Sequence, residues 1–446
     1  MGCVCWSYAY IVAFAYPVMP ESLKALISVI GDPRKYEPVR YHYGDFPPAI
    51  SNFSSLVLLD AVKPGRAVLI GQYTLAVRGS NFRELQEESI KVIEDSLTNV
   101  KFSDIVIAPG VAHVMDNNRV YDYRGSIFNF YAYTLYRLAS IFEGLDGDLD
   151  VTLDLTHGIN YMGYLTLTAV NLILNIYSLR SSVKLRVVNS DPYPRGREYQ
   201  APPDLNINKV LEGEVMPTFN YPISLSIEVL HPYSGGDEDK AELGKRLHNE
   251  LSDEMRQCII NQAYFINAVS KGTLLAAYTF ADEFEKCVDF SVRYFEDNIV
   301  VSDDDKSFTV EPKYSFTRTF ESLVIAEMMR RITGISRRSE VELSELDRKS
   351  EIYNGKNMVL YTIVKNEIND IGSKINEAVV RSNRTLNTES WIKLSQYMDV
   401  LQIQYSKDPD MRTFYARASM PYVFGEVKGA TKELRYSSDA LEKVRS

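Results

Sequence analysis

Asp154-Leu155-Thr156-His157-Gly158-Ile159-Asn160 is the stretch that decides the fold of the N-terminal half of this 446-residue chain. The five residues before it, LDVTL at 149–153, alternate in the manner of a strand. The residues after it, 161–177, are apolar at helical spacing. A strand that passes through such a turn into a helix presents polar groups and backbone N–H groups at the carboxyl edge of a parallel sheet. Open α/β sheets bind ligands at this edge, and a helix N-terminus favours phosphate.

Strands and helices alternate on both sides of this turn. The pattern predicts further strands at 24–30, 66–72, 104–108 and 183–189, and helices at 82–97, 126–142 and 160–179. Strands separated by helices imply a parallel, doubly wound sheet with right-handed crossovers, so we predict a Rossmann-like α/β domain over residues 19–193. The first strand is not followed by Gly-x-Gly-x-x-Gly, which argues against a nicotinamide dinucleotide.

The rest of the chain divides into three segments. Residues 1–18 are uncharged, are too short for a bilayer span and lack a basic signal region, so we predict an extension from an upstream start codon that precedes Met19. Residues 194–236 are rich in Pro, Asn and Gly and predict a connector with short strands. Residues 237–446 carry apolar stripes at helical spacing and predict an all-α domain, with an acidic solvated loop at 302–306.

Composition limits the classes of function. A net charge of −10 argues against a protein coated in basic surface for duplex DNA, although a local basic groove stays possible. The four cysteines show no paired metal-ligand spacing, and we predict neither a metal site nor a bound cofactor. The cysteine usage fits a reducing cytoplasm, and we predict a cytoplasmic protein with no membrane partner.

Each polar residue of the opening stretch has a chemical use. Gly158 lets the backbone approach a ligand, the Thr156 hydroxyl can donate a hydrogen bond, and Asn160 can donate and accept. His157 is one of only five histidines, and Asp154 could cap the helix or hold the turn. The residues alone leave a structural alternative open, in which this is a capped turn with His157 packed against a neighbour.

Gly31 and Asp32 follow the first predicted strand, at the position that corresponds to the opening stretch. If the strand order switches between these two strands, both loops line one crevice. Taken alone, a Gly-Asp-Pro sequence is more often only a turn.

These motifs resemble those of a known family. Asp154-x-Thr156-His157-Gly158-x-Asn160 resembles the signature of the CRISPR-associated DxTHG family. The first strand, the Gly-Asp-Pro sequence after it and Val39-Arg40-Tyr41-x-Tyr43-Gly44 are similar to the start of the same proteins. These are type III CRISPR accessory ribonucleases, in which a Rossmann-like CARF domain is followed by an all-α HEPN domain. The motifs cover residues 22–190, and the helical half is similar in architecture only.

The resemblance implies a ligand, a partner and a substrate. It implies that the CARF domain dimerises, as a homodimer or a higher even-numbered oligomer, and binds cyclic oligoadenylate across the dimer axis. A two-fold ligand suits such a dimer because each loop is used twice. The residues that it assigns to the ligand are Gly31, Asp32, Asp154, Thr156, His157, Gly158 and Asn160. It further implies cleavage of single-stranded RNA by the helical half.

In the implied HEPN domain, the family's Arg-x4-6-His motif is matched at Arg412 and Arg417, with arginine in the histidine position. The last histidine of the chain is His248. A guanidinium stays protonated at physiological pH, so it stabilises a phosphorane-like charge but cannot act as a general base. We therefore expect a degenerate catalytic motif, with Tyr415 only a weak substitute proton donor because its pKa is near 10.

Four functions follow from these observations. The family function, ligand-activated cleavage of RNA, is the leading hypothesis, with reduced activity. The others are a non-catalytic sensor or sink for the cyclic nucleotide, a ring nuclease that cleaves the bound ligand, and a nucleotide-responsive transcription factor. The acidic charge and the lack of a recognition-helix pattern disfavour the transcription factor.

Overall fold

The computed structural model describes residues 22–97, 101–116, 118–194, 201–233, 237–382, 386–418 and 420–445. The predicted extension at residues 1–18 and its boundary at Met19 lie outside these ranges. Within them, no helix is both long and apolar enough to cross a bilayer.

The N-terminal half is built around one large sheet. The strands of this half are β1 (Leu23–Val29), β2 (Val39–Tyr43), β3 (Phe46–Ser51), β4 (Arg66–Gln72), β5 (Asp104–Ala108), β6 (Ala112–Asp116), β7 (Arg119–Tyr123), β8 (Leu149–Asp154), β9 (Val183–Ser190) and β10 (Asp204–Glu214), and all but β6 and β7 belong to the large sheet. Its helices are α1 (Ser54–Val62), α2 (Phe82–Ser96), α3 (Ile127–Glu143) and α4 (Asn160–Tyr177). The strands and helices predicted between residues 24 and 189 are confirmed to within a few residues at their ends.

The sheet has eight strands in the order β3-β2-β10-β9-β8-β1-β4-β5. The strands β9, β8, β1, β4 and β5 are parallel, as the alternating pattern predicts. The strand that precedes the opening stretch, β8, lies directly beside β1, with Asp154 paired to Ser28. Among the parallel strands, β4 is the first to follow β1 along the chain and lies on one side of it, whereas β8 comes later and lies on the other side. The strand order therefore switches between the two loops that carry the predicted site, which confirms the geometric condition for a shared crevice.

The sheet does not end at residue 193. The predicted connector contains β10, which pairs antiparallel with β9 and parallel with β2. The strand was hidden in the sequence because most of its side chains are exposed and polar, as is typical of a strand with one open face. The segment 204–214 is thus part of the sheet rather than a link between domains.

The C-terminal half contains helices and strands. Its helices are α5 (Asp237–Glu250), α6 (Asp253–Lys271), α7 (Leu274–Phe280), α8 (Phe284–Asp297), α9 (Arg318–Thr333), α10 (Leu343–Lys349), α11 (Met358–Arg381), α12 (Leu394–Val400), α13 (Met411–Ala416) and α14 (Ser438–Arg445). Its strands are β11 (Leu230–Pro232), β12 (Ile299–Asp303), β13 (Ser307–Pro312), β14 (Tyr314–Phe316), β15 (Val341–Glu342), β16 (Trp391–Lys393), β17 (Gly425–Lys428) and β18 (Glu433–Tyr436).

The prediction of an all-α domain over 237–446 is therefore wrong in part. The acidic loop predicted at 302–306 is the turn of the hairpin β12–β13, which the stretch IVVSD and the alternating SFTVEP form. A second sheet, β15-β18-β17-β16, lies near the C-terminus. Strands of two to six residues are too short to show a clear alternation of polar and apolar residues. The neighbouring sequence shows the helical spacing of apolar residues, so the pattern predicted helices only.

One small sheet joins the two halves of the chain. Its order is β12-β13-β7-β6, so a hairpin from each half contributes two strands. The joining contact is parallel and pairs Ser307 with Val120 through Val310 with Tyr123. The two halves therefore share backbone hydrogen bonds in addition to side-chain packing.

Candidate ligand-binding site

The two predicted loops touch at the carboxyl ends of β1 and β8. A Cβ atom on Gly31 would lie 3.5 Å from the Cα and carbonyl carbon of Gly158 and 3.3 Å from the hydroxyl of Tyr36. The Gly31 N–H donates to that hydroxyl at 2.8 Å. Gly158 has φ +130°, a backbone conformation that a side chain disfavours. Glycine at both positions thus permits the close approach of the two turns.

Asp154 holds the second turn from below. Its carboxylate is 1% exposed and accepts hydrogen bonds from the Ser54 and Ser55 hydroxyls, each at 2.7 Å, and from the Thr156 N–H at 2.9 Å. The second of the two uses proposed for this residue, holding the turn, is confirmed. This carboxylate is buried beneath the turn and hydrogen-bonded within the chain, which favours the structural role, and its contact with a ligand stays a prediction. The sequence could not distinguish these roles, because burial depends on the distant residues of α1.

His157 is enclosed by aromatic rings. Its ring centroid is 4.4 Å from that of Tyr36 and 5.0 Å from that of Phe53. The Ser54 N–H donates to Nε2 at 3.3 Å, and the Tyr41 hydroxyl lies 3.3 Å from the same atom. Burial lowers the pKa of the imidazole to about 4, against the opposing charge of Asp154. The ring is therefore neutral near pH 7. Its proton lies on Nδ1, because Nε2 accepts from the Ser54 N–H. The packing of the ring against Tyr36 and Phe53 agrees with the structural alternative, in which His157 packs against a neighbour.

The exposed part of the turn is Gly158, Ile159 and Asn160, where α4 begins. Thr156 is tied to the sheet, because its hydroxyl accepts from the Ser190 N–H at 3.1 Å. Tyr161 is the second residue of α4. Its hydroxyl accepts hydrogen bonds from the Gln72 side chain at 2.7 Å and from the Val111 N–H at 3.3 Å. The N-terminus of an 18-residue helix is thus anchored by hydrogen bonds with its first residue, Asn160, open to solvent, which is an arrangement that suits an anion.

A groove of about 640 Å³ lies over both turns. Its lining includes Gly31, Asp32 and Ile159 from the turns, together with the hairpin β6–β7. Arg34 and Lys35, which the sequence analysis did not select, bring exposed positive charge to the same groove. Their signal in the sequence was the pair of cations directly after Gly-Asp-Pro.

Asp32 organises these cations. Its side chain accepts from the Arg34 backbone N–H at 3.3 Å and from the Arg34 Nε at 2.7 Å, and it lies 3.4 Å from the Lys35 Nζ. Burial raises the pKa of this carboxyl, but the hydrogen bonds and charge of Arg34 outweigh it and hold the pKa below its ordinary value. The carboxylate is therefore charged and neutralised by its own turn.

The structure places Arg412 and Arg417 in different surroundings, and their role as a catalytic pair stays a prediction. Arg412 is exposed on the short helix α13, whereas Arg417 ends that helix and turns inward. The Arg417 guanidinium lies 3.3 Å from Glu367 and 3.4 Å from Asp370, both on α11. It also donates to the Tyr422 hydroxyl at 3.0 Å and stacks over that ring. Its positive charge is committed to two carboxylates of the chain itself.

Lys374 completes this cluster. Its Nζ donates to Asp370 at 2.6 Å and to the Tyr422 hydroxyl at 2.6 Å. Burial raises the pKa of Glu367 above its ordinary value, although the charge of Arg417 opposes the rise. The cluster pairs cations with carboxylates and holds no imidazole. Among the described residues, no group of three or more His, Cys, Asp and Glu side chains is placed to hold a metal ion.

Comparisons with known proteins find chains that are similar to this one. Residues 25–192 match the family model of the CRISPR system endoribonuclease Csx1, CARF domain. The chain is 28% identical over 371 residues to the CRISPR system endoribonuclease Csx1 of Methanocaldococcus jannaschii, covering 79% of this chain and 76% of that protein. Enterococcus italicus Csm6 bound to cyclic hexa-2'-fluoro-hexa-dAMP aligns with 90% of this chain and 94% of that chain, at 14% identity and a TM-score of 0.23. The last likeness is too low to bear on this chain, whereas the first two confirm the predicted resemblance.

Proposed function

We propose that the chain is a CARF-containing accessory protein of a type III CRISPR system and a sensor of cyclic oligoadenylate, because residues 25–192 match the model of the Csx1 CARF domain. The observation that carries the proposal is the contact of the two glycine turns at the strand switch point, beneath a groove of about 640 Å³. Phosphate groups of the ligand lie against the N-terminus of α4 and the side chain of Asn160. The cations Arg34 and Lys35 supply the opposing charge.

The ligand is symmetric, and one groove contacts only part of it. A second copy of the chain, related by a two-fold axis, would present the same turns to the other part of the ring. We therefore propose that the working unit is a homodimer or a higher even-numbered oligomer. We further propose that it acts in the cytoplasm.

For the C-terminal half we propose descent from the HEPN endoribonucleases, with cleavage of single-stranded RNA that is weak or absent. General acid–base help is typically worth about 10²–10⁴ in rate, and the segment at 412–417 contains no imidazole to provide it. The carboxylates of Glu367 and Asp370 further occupy the Arg417 guanidinium. This pairing favours a second candidate, a non-catalytic sensor or sink that binds the nucleotide without cutting RNA.

A titration with cyclic tetra- and hexa-adenylate tests the first proposal. Arg34→Ala combined with Asn160→Ala removes an exposed cation that lines the groove and the exposed side chain of the first residue of α4, and it is expected to weaken binding at least tenfold, about 1.4 kcal/mol. Asn171→Ala is the matched control, since Asn171 is exposed farther along the same helix. Binding of neither nucleotide by the natural chain would refute the proposal.

The same incubations separate the two candidates. Cleavage of a labelled single-stranded RNA that rises with the nucleotide supports the endoribonuclease, and retention of intact nucleotide without cleavage supports the sensor or sink. Breakdown of the nucleotide itself would instead identify a ring nuclease.

A further inference from the structure

A cleft of about 840 Å³ lies between the two halves of the chain, apart from the groove over the two turns. Its walls are the helices α2 and α3 of the N-terminal half and α8 of the C-terminal half. Small-molecule sites commonly have a volume of this order and often lie where two structural units meet. The residues that line the cleft and those that line the groove do not overlap, so the two are separate places on the molecule.

The cleft contains an arginine without a bonded partner among the described residues. The charged residues of its lining are Arg83, Arg137, Arg293, Asp289, Glu296 and Asp297. Arg83 is paired with Glu87 at 2.9 Å, and the Arg293 Nε donates to the Asp289 carbonyl oxygen at 3.3 Å. The guanidinium of the half-buried Arg137 makes no hydrogen bond or ion pair with any residue that the structure describes. Such a cation favours an anionic ligand, and the planar fork of arginine suits phosphate.

Glu296 supplies a hydrogen-bond acceptor to the same cleft. Its Oε1 accepts from the Tyr133 hydroxyl at 2.9 Å, and that hydroxyl in turn accepts from the Gln86 Nε2 at 3.2 Å. Burial raises the pKa of Glu296, and the Tyr133 hydrogen bond and the charge of Arg137 oppose the rise. The second carboxyl oxygen, Oε2, makes no hydrogen bond within the described part of the chain, so it can accept one from a ligand.

Aromatic rings complete the lining. Phe82, Tyr133 and Tyr136 all border the cleft, and the ring centroid of Tyr133 lies 5.5 Å from that of Phe82 and 6.0 Å from that of Tyr136. Phe82 and Tyr133 are buried, whereas Tyr136 is partly exposed and can stack against a planar ring. A cation, an aromatic face and a carboxyl acceptor in one cleft match the phosphate, the base and the amino group of a nucleotide.

We propose that this cleft binds a mononucleotide. The Arg137 guanidinium pairs with the phosphate, the base stacks on Tyr136, and Glu296 Oε2 accepts from the exocyclic amino group of the base. Adenine, guanine and cytosine carry such an amino group. Uracil has a carbonyl oxygen in place of the amino group of cytosine, and this oxygen repels a carboxyl oxygen. The cleft therefore selects AMP, GMP and CMP over UMP.

Equilibrium dialysis of the full chain against each of these mononucleotides tests the proposal. GMP and CMP are the decisive ligands, because they lack the adenine that the groove is proposed to bind. Both are expected to bind about tenfold more tightly than UMP, and Arg137→Gln should weaken their binding by about tenfold or more. Arg78→Gln is the matched control, since Arg78 is exposed and paired with Glu88 outside the cleft, and it should bind GMP as the natural chain does.

Glu296→Gln separates recognition of the base from folding. A glutamine side chain can accept from an amino group and can also donate to a carbonyl oxygen. This variant should therefore retain binding of GMP and CMP while it loses the preference over UMP. A misfolded protein would lose binding of every nucleotide instead.

The proposal is overturned if the natural chain binds neither GMP nor CMP, or if Arg137→Gln binds them as the natural chain does. Inorganic phosphate that binds as tightly as GMP would show a general anion site and overturn the nucleotide. Equal binding of UMP and CMP would overturn the contact with Glu296. Binding of GMP by a chain that does not bind cyclic tetra-adenylate would refute the proposed function and support the cleft.

Discussion

The turn around Asp154 and the segment around Arg417 both centre on buried ionic side chains, yet they differ in what remains available to a ligand. At the turn, the Asp154 carboxylate accepts hydrogen bonds from Ser54, Ser55 and the turn backbone. This carboxylate lies beneath the turn, so the N-terminus of α4 stays exposed. At the other segment, the Arg417 guanidinium, which we expected to bind a phosphate, is instead paired with Glu367 and Asp370. Internal pairing supports a predicted site when the partners lie beneath it, and it competes with ligand binding when the paired group is itself the predicted functional group.

The largest change in the free energy of unfolding is expected for Asp154→Ala. It leaves two buried hydroxyls and a backbone N–H without their acceptor, and we expect a loss of about 4 kcal/mol in the free energy of unfolding. Asp146→Ala is the control, because the Asp146 side chain is 94% exposed, and a change within about 0.5 kcal/mol is expected. Urea unfolding measures both. Equal effects would mean that the turn does not depend on its buried carboxylate.

The next effect concerns the pH dependence that His157 produces. Its pKa falls from about 6.5 in the unfolded chain to about 4 in the folded one, so the unfolded chain binds the proton more tightly. The stabilisation is complete above about pH 6.5 and is lost as the pH falls toward 4, with a total on the order of 3 kcal/mol. His157→Gln should reduce the loss of unfolding free energy between about pH 7 and about pH 4.5.

His113→Gln is the control for that measurement, because the His113 side chain is 69% exposed. It should leave the pH dependence as in the natural chain. A natural chain whose stability is flat over this interval would contradict the buried, neutral state of His157.

The Arg417 segment is tested by a pair of single substitutions. Arg417→Ala leaves the buried Glu367 without its cation, and we expect a loss of about 2 kcal/mol in unfolding free energy, discounted for partial exposure. Arg412→Ala should change it by less than about 0.5 kcal/mol, since Arg412 is exposed. If instead both substitutions leave stability unchanged and both abolish RNA cleavage, the segment is a functional site and the contrast with the turn is broken.

The smallest expected effect is that of Gly158→Ala. The backbone at Gly158 has φ +130°, and a Cβ atom there would lie 3.2 Å from Val29 Cγ2, so we expect a cost of about 1.5 kcal/mol together with weaker nucleotide binding. Gly163→Ala, within α4, meets no atom closer than 3.9 Å and should raise stability by about 0.5 kcal/mol. Thermal unfolding compares the two. A stabilised Gly158→Ala would show that the turn tolerates a side chain.

Much of the N-terminal fold could be predicted from the sequence because its strands are buried and flanked by long helices. Strand β1 reads LKALISV and β4 reads RAVLIGQ, and both are enclosed by the sheet. Strands with one open face or few residues, such as β10 and β16, gave no such pattern, and the C-terminal half was consequently predicted without strands. Pairing partners that are far apart in sequence, as for β7 and β13, are not encoded by local periodicity.

The sequence was sufficient to locate the candidate site. It was not sufficient to decide which of its residues face a ligand and which hold the turn. The turn at 154–160 and Gly31 do meet, as the strand order requires. Whether a polar residue there faces solvent or the interior depends on residues from α1 and β2, which surround Asp154 and His157. The positive charge of the groove comes from Arg34 and Lys35, whose position depends on the Asp32 turn.

The parallel contact of β7 with β13 also has a consequence during synthesis. Tyr123 leaves the ribosome 187 residues before its partner Val310, a delay of about 10–40 s at usual rates of translation. Throughout this interval the open edge of β7 could pair with another nascent chain. Such pairing is disfavoured by charged side chains on and beside that strand, namely Arg119, Asp122 and Arg124. These charges therefore protect the unfinished chain from aggregation until β13 has been made.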